Sequence, residues 1–259
     1  MGVVKQRRIA RENLKLLTSD PSKILFIHYA KSNTYDEDYG NISPIITSIV
    51  IKSLDHSIDQ QFAIHFEADK ADITKDQIQD SYRDLEMRIL RLFNDFVRQN
   101  NGCIWVHWDM MNIHFGFDAI KHRYEKIFGN ANDYSEIPSN NKKNLRIILE
   151  GMYGENFVKT GDTLKNLLSC NSKGTVSNVY LSQDSESQEF QNKNFNEVIR
   201  SVEMKVDFIK NATGKLIQNK LSVENRNSYA IFIDVIIHPI FNLVGWVIGI
   251  LSFILAFYL

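Results

Sequence analysis

Several histidines and carboxylates fall within or next to short apolar runs, where folding could bring them together. They are, in chain order, His28, His65, Glu67, His107 and Asp109. If the run around His65 is a β-strand, His65 and Glu67 point to the same face of a sheet. Imidazole and carboxylate groups transfer protons and bind metals or ligands. One hypothesis is therefore a catalytic or binding set, and the alternative is that these residues lie at the core edge, satisfied by hydrogen bonds.

Two further charged candidates lie in the stretch HWDMMNIHFGFDAIKHRY. Asp118 follows Phe117 at the start of a helical pattern, where its carboxylate could hold a cation. Arg123 closes the cluster Lys121–His122–Arg123, which could hold a phosphate group. A charge cluster on a helix is also typical of a solvated face or of a complement to the helix dipole.

The runs that carry these residues have the length and composition of β-strands. The predicted strands cover residues 23–30, 42–54, 60–68 and 103–108. Between the third and fourth strands, apolar residues recur at helical spacing in SYRDLEMRILRLFNDFVRQN, and further helical patterns follow the fourth strand. The order β-β-β-α-β-α predicts an α/β fold with a mixed sheet.

This order of elements resembles the ribonuclease H-like fold, and especially the DEDD-type 3′–5′ exonucleases, over roughly residues 23–168. The stretch around Phe117–Asp118 is similar to the second motif of that family. The resemblance implies that Asp118 is a metal ligand and that Mg²⁺ or Mn²⁺ is the cofactor if cleavage is retained. The first motif of the family, Asp-x-Glu, is absent, because His28 and Ala30 stand there. Two-metal cleavage needs several carboxylates, so the catalytic set is incomplete.

The stretch IFNLVGWVIGILSFILAFYL, residues 240–259, contains no charged side chain. As a helix it would be about 30 Å long, which matches the hydrocarbon core of a bilayer. We expect a single-pass, tail-anchored protein of the inner (cytoplasmic) membrane with a cytosolic N-terminal domain. Small and polar residues spaced three or four apart predict a helical stripe that self-associates. The stripe consists of Asp234, His238, Asn242, Gly245, Gly249, Ser252 and Ala256.

These patterns divide the chain of 259 residues into five segments. The segments are a basic N-terminal segment (1–22), a ribonuclease H-like α/β domain (23–183), a long helix or stalk (184–221), a polar linker (222–229) and a C-terminal membrane segment (230–259) with its span at about 240–259. The net charge of −1 provides no general attraction for nucleic acid. Two cysteines are too few for a disulfide scaffold.

Three functional hypotheses follow from the sequence. In the first, the cytosolic domain binds a nucleotide, a nucleic acid or a protein and controls assembly of the self-associating helix in the lipid bilayer, as in a bacterial anti-phage effector that perturbs membranes. In the second, the chain is a membrane-tethered, metal-dependent exonuclease with an atypical site around Asp118. In the third, it is a passive membrane adaptor for a protein partner. The chain contains no P-loop, GxGxxG, HExxH or GxSxG motif.

Overall fold

A mixed five-stranded sheet organises the part of the chain that the computed structural model describes, residues 3–35, 44–112, 114–172, 178–226 and 246–248. Its strands are β1 (Ile24–Tyr35), β2 (Pro44–Ser53), β3 (Asp59–Ala63), β4 (Ile104–His107) and β7 (Lys142–Asn144). A separate two-stranded hairpin is formed by β5 (Met111–Asn112) and β6 (Phe115–Gly116). The predicted α/β class with a mixed sheet agrees with this architecture.

The order of the strands across the sheet is β3-β2-β1-β4-β7. β1, β2 and β3 pair as an antiparallel meander, whereas β4 runs parallel to β1 and β7 runs parallel to β4. Every residue of β2, PIITSIVIKS, is buried. A continuous apolar, β-branched run suits a strand that is covered on both faces.

Helices cover the sheet and connect its strands. They are α1 (Val3–Ser19), α2 (Ile64–Lys70), α3 (Tyr82–Gln99), α4 (Phe117–Phe128), α5 (Leu145–Tyr153), α6 (Thr163–Asn171), α7 (Gln183–Gln191) and α8 (Phe195–Ile217). Most of the predicted apolar face of α3 is buried, although its Leu92 is exposed. Phe93 and Phe96 of this face meet the indole of Trp105 on β4 edge-on. α7 and α8 pack against β1, and α8 also packs against β2.

The predicted third strand is wrong in its second half. β3 ends at Ala63 and α2 begins at Ile64, so His65 and Glu67 lie on a helix. The alternation in QQFAIHFEA also fits a helical turn, because Ile64 and Ala68 are four residues apart and both are buried. Side chains two residues apart on a helix point in different directions, so the expected common face does not form.

The predicted long helix over residues 184–221 differs from the structure in two ways. The chain turns between α7 and α8 at Lys193, which has a φ of 63°. α8 is not a stalk, because Val202, Val206 and Ile209 on its apolar face are fully buried. The apolar residues that recur at helical spacing in this stretch form the face by which α8 packs on the sheet.

The predicted C-terminal transmembrane helix requires a correction. Within residues 3–35, 44–112, 114–172, 178–226 and 246–248, no helix combines the length and the apolar character that crossing a membrane requires, so this part of the predicted fold is wrong. The proposed self-association residues lie outside the described residues. They are Asp234, His238, Asn242, Gly245, Gly249, Ser252 and Ala256.

Candidate functional site

A cavity of about 370 Å³ lies at the carboxyl ends of the parallel strands β4 and β7. His107 and Asn144, the last residues of these strands, are paired in register and both line it. We call this space the β4–β7 cavity. In α/β proteins, ligands bind in the crevice at the carboxyl ends of parallel strands, because loops and helix starts converge there. The position alone therefore makes it the first candidate site.

The imidazole of His107 is a neutral hydrogen-bond donor in this cavity. Its Nδ1 accepts the backbone N–H of Met110 at 3.1 Å, which places the ring proton on Nε2. Burial lowers the pKa of His107 to about 3, with Lys142 adding to the effect and Asp109 opposing it. At neutral pH the ring therefore carries no charge and cannot serve as a general base of matched pKa.

Two amines without acidic partners lie beside His107. Among the described residues, neither Lys142 nor Lys143 forms an ion pair. The Lys142 Nζ lies 5.0 Å from the centre of the Phe117 ring, an arrangement in which the ring attracts the cation. Lys143 is half-buried, and this burial lowers its pKa. The two lysines provide positive charge that no side chain of the described part neutralises directly.

The two acids of the cavity differ in their surroundings. Glu136 forms an ion pair with Lys121 at 3.0 Å, and this pair lowers the pKa of Glu136. Asp118 is exposed in the first turn of α4, where the helix dipole favours a negative charge. Among the described residues, no group of three histidines, cysteines or acids is placed to hold a metal ion. Lysines and apolar side chains accompany Asp118 in the cavity lining.

A network around Asp109 holds the ends of β4 and β7 together. Asp109 has a φ of 54°, and its carboxylate accepts a hydrogen bond from Asn144 Nδ2 at 3.1 Å. The same carboxylate forms an ion pair with Arg146, which also pairs with Glu150 at 2.9 Å. Asn144 Oδ1 accepts the N–H of Arg146 at 3.0 Å and so caps α5. Asp109 therefore shapes the rim of the cavity.

His28 and His107 do not form one site. Ile27, not His28, pairs with His107 across β1 and β4, so the two imidazoles lie on opposite faces of the sheet. Burial, Lys205 and His107 all lower the pKa of His28 well below its ordinary value. Next to this face, Glu186 accepts hydrogen bonds from Lys205 and Ser201, both at 2.7 Å, in a buried network.

The remaining predicted residues lie elsewhere. Arg123 is buried and forms an ion pair with Glu86, with contacts of 2.7 and 2.5 Å. Glu67 pairs with Lys70 on α2 at 2.6 Å. His65 lines a second cavity, at the start of α8. Of the residues singled out in the sequence, the β4–β7 cavity brings together His107 and Asp118, with Asp109 at its rim.

Sequence reasoning missed Lys142, Lys143 and Asn144. They form β7, a strand of three polar residues. Its sequence lacks the alternation of apolar and polar residues by which a strand is predicted. The available signal was Asn144, a preferred N-cap residue directly before the helical pattern LRIILEGMY. No family model, no curated protein and no solved structure matches this chain.

Proposed function

We propose that this chain is a binding module that takes a small anionic ligand of the nucleotide class in the β4–β7 cavity. The observation that carries the proposal is the meeting of two unpaired amines, Lys142 and Lys143, with the neutral N–H of His107 at the ends of two parallel strands. Phosphate oxygens accept hydrogen bonds from such donors. The position at the strand ends agrees with where nucleotides bind in other α/β sheets.

The apolar part of the cavity suits the ring of a nucleotide base. Phe117, Met110 and Ile148 line it, and Met111 and Ile147 are exposed apolar side chains at its opening. A volume of about 370 Å³ falls within the range of small-molecule sites, which are mostly apolar with a few placed polar groups. Asp118 lacks an ion pair among the described residues and can accept N–H groups of a base.

Binding is favoured over phosphodiester cleavage by the chemistry of the lining. Cleavage by the two-metal route requires several converging carboxylates, whereas Glu136 is paired with Lys121 and Asp118 stands beside lysines. His107, with a pKa of about 3, does not supply the missing base. The proposal therefore assigns the ligand a regulatory role, that of a bound signal.

We further propose that the sheet is of the ribonuclease H-like type, with its catalytic residues replaced. Two features support this relation: the antiparallel meander β1–β2–β3, and the helical connections that lead from it to the parallel strands β4 and β7. Ala30 and His28 on β1 have no carboxylate to offer at the positions where the resemblance expects two.

The test is calorimetric titration of the full chain with mono- and triphosphates of adenosine, guanosine, cytidine and uridine. We expect at least one of them to bind. Lys142→Ala and Lys143→Ala should each weaken binding by about tenfold to hundredfold, because a hydrogen bond to a charged group contributes about 1.5–3 kcal/mol. The matched control is Lys165→Ala, an exposed lysine on α6, which should leave the affinity unchanged.

Two results would contradict the proposal. One is that none of these nucleotides binds with a Kd below about 1 mM, which corresponds to about 4 kcal/mol of binding free energy. The other is that a nucleotide binds equally well to the Lys142→Ala, Lys143→Ala and Lys165→Ala variants. In that case the binding site lies away from the β4–β7 cavity.

A further inference from the structure

The start of α8 borders a second cavity, of about 320 Å³, away from the β4–β7 cavity. It is lined by residues of α2, of the segment that precedes α3, and of the turn between α7 and α8. The residues on which the inference rests are His65, Lys75, Asn194, Phe195 and Asn196. We call this space the α8 cavity.

The N-terminus of α8 is uncapped although a good capping residue is present. Asn194 occupies the N-cap position and makes no side-chain hydrogen bond to the helix. Its Nδ2 instead donates to a carboxylate oxygen of Glu189 at 2.7 Å, and its backbone N–H donates to the Glu189 carbonyl at 2.8 Å. An N-cap side chain is worth about 1 kcal/mol. The chain therefore forgoes this stabilisation, and the positive end of a 23-residue helix faces the cavity.

His65 provides an independent indication that a ligand belongs here. Its side chain is enclosed, with 9% of the residue exposed, yet its Nε2 has no hydrogen-bond partner in the described part of the chain. The ring stacks on Phe195, the first residue of α8, with 5.9 Å between the ring centres. Burial lowers the pKa of His65, while the charge of Asp69 and a hydrogen bond between the side chains of His65 and Asn196 act to raise it. A buried nitrogen without a partner costs about 1–3 kcal/mol.

Among the described residues, the charges around the cavity leave one lysine and one acid without an ion pair. Lys193 pairs with Asp76 at 2.6 Å, and Glu197 pairs with Arg200 at 3.5 Å. Lys75 is exposed and forms no ion pair among the described residues. Asp69, one helical turn beyond His65, is the remaining acid of the lining. It lies where it would stabilise a protonated His65 once an anion is bound.

We propose that the α8 cavity is a binding site for a phosphate group, held by the first N–H groups of α8, by His65 and by Lys75. The helix N–H groups and Lys75 donate hydrogen bonds, and His65 donates through Nε2 when that nitrogen carries the proton, so an acceptor with several oxygens would satisfy all three. Helix N-termini bind phosphate through the same combination of free N–H groups and dipole. The site is separate from the β4–β7 cavity and does not depend on the function proposed for it.

The experiment is a titration of the full, ¹⁵N-labelled chain with inorganic phosphate at constant ionic strength, followed through the amide resonances of Phe195 and Asn196. We expect saturable shifts of both amides. Lys75→Ala and His65→Phe should each raise the Kd for phosphate about tenfold. The phenylalanine keeps the stacking on Phe195 and removes only the polar atoms. Lys75 is exposed, so its variant tests the site even if His65→Phe does not fold.

A matched control separates this site from other exposed lysines. Lys165→Ala should leave the phosphate affinity, followed at the Phe195 and Asn196 amides, unchanged. A parallel titration with glycerol 3-phosphate identifies the source of the group: tighter binding of the ester assigns the site to a phosphomonoester, and tighter binding of inorganic phosphate assigns it to the free ion. The proposal is overturned if the two amides show no saturable shift with either compound. It is also overturned if Lys75→Ala binds phosphate as tightly as the original chain.

Discussion

The first turn and the middle of α4 belong to two regions in which charged side chains are paired differently. Its first turn contributes Phe117 and Asp118 to the β4–β7 cavity, which also contains the unpaired Lys142. Further along the helix, Arg123 is enclosed against the fully buried carboxylate of Glu86. One region matches its charges internally, and the other leaves positive charge without an acidic partner in the part of the chain that the structure describes.

The difference indicates which charges serve the fold and which serve binding. Glu86 Oε1 also accepts the N–H of Ile46 at 2.7 Å, so the pair joins α3 and α4 to the start of β2. A buried charge is tolerated only when it is paired and hydrogen-bonded. Lys142 and Lys143 can remain unpaired because they lie at an open cavity, where water or a ligand solvates them.

The largest expected effect comes from breaking the enclosed pair. Glu86→Ala leaves Arg123 charged and buried, and it removes the acceptor of the Ile46 N–H. We expect a loss of about 3–5 kcal/mol in the free energy of unfolding, measured by urea denaturation. The control is Asp95→Ala, which removes the exposed partner of Arg98 on the same helix, α3. It should change the stability by less than about 1 kcal/mol.

A small effect of Glu86→Ala would contradict the comparison. It would mean that Arg123 finds solvent or another acceptor when Glu86 is gone, and that the region is not closed. Arg123→Met provides a second measurement of the same contrast. It removes the ion-pair partner of the fully buried Glu86, so we expect it also to destabilise the chain.

The next effect concerns pH and the histidine at the border of the cavity. The folded chain holds the pKa of His107 at about 3, below the ordinary value of about 6.5. Below about pH 6.5 the unfolded chain therefore takes up a proton that the folded chain does not, so the free energy of unfolding decreases as the pH is lowered. At pH 5 the loss from His107 is roughly 2 kcal/mol, and His28, whose pKa is also lowered, acts in the same direction.

The variant His107→Gln isolates this contribution. We expect it to lose about 2 kcal/mol less than the original chain when the pH falls from 7 to 5, as measured by urea denaturation at both values. If His107→Gln loses as much unfolding free energy between pH 7 and pH 5 as the original chain, the imidazole is protonated in the folded chain and can carry charge in the cavity.

An effect of similar size tests how α1 is held as a wall of the cavity. Asn13 of α1 lines the β4–β7 cavity, and α1 packs against α5 at Gly151. A Cβ at position 151 would lie 2.7 Å from the Cβ of Ala10 and 3.0 Å from the Gln6 carbonyl oxygen. Gly151→Ala should therefore displace α1 and cost about 1–3 kcal/mol in the free energy of unfolding.

Gly214 provides the matched control for this substitution. It lies within α8, and a Cβ added there meets nothing within 4 Å. Gly214→Ala should stabilise the chain by about 0.4–1 kcal/mol, because alanine restricts the unfolded state without a clash. Similar effects at the two glycines would show that α1 adapts freely, and that its position does not define the cavity.

The fold was predictable where a periodic pattern coincides with burial. The apolar period of α3 and the continuous β-branched run of β2 both predicted their elements correctly. β7 was not predictable, because three polar residues become a strand only by pairing with β4. The break between α7 and α8 depends on the left-handed backbone conformation of Lys193. Lysine is not a residue type that predicts a turn.

The candidate site was predictable only in part, for a related reason. His107 and Asp118 stood out because of their types and their places next to a strand and a helix. The role of Arg123 depends on Glu86, which is 37 residues away in sequence, and no local pattern pairs them. The capping failure of Asn194 likewise follows from a contact with Glu189 that only the folded turn creates.

The smallest effect on stability is expected at Lys143, where a charge used for binding can be distinguished from a charge that stabilises the fold. Burial lowers the pKa of Lys143, so its charged form is less favourable in the folded chain than in water. If Lys143 is retained for binding, Lys143→Met should keep or slightly raise the free energy of unfolding, within about 0.5 kcal/mol, while nucleotide affinity falls. Urea denaturation and calorimetric titration of the same variant measure the two quantities. A loss of stability as large as that of Arg123→Met would show that Lys143 stabilises the fold. A charge that contributes only to ligand binding can be removed without destabilising the unliganded chain.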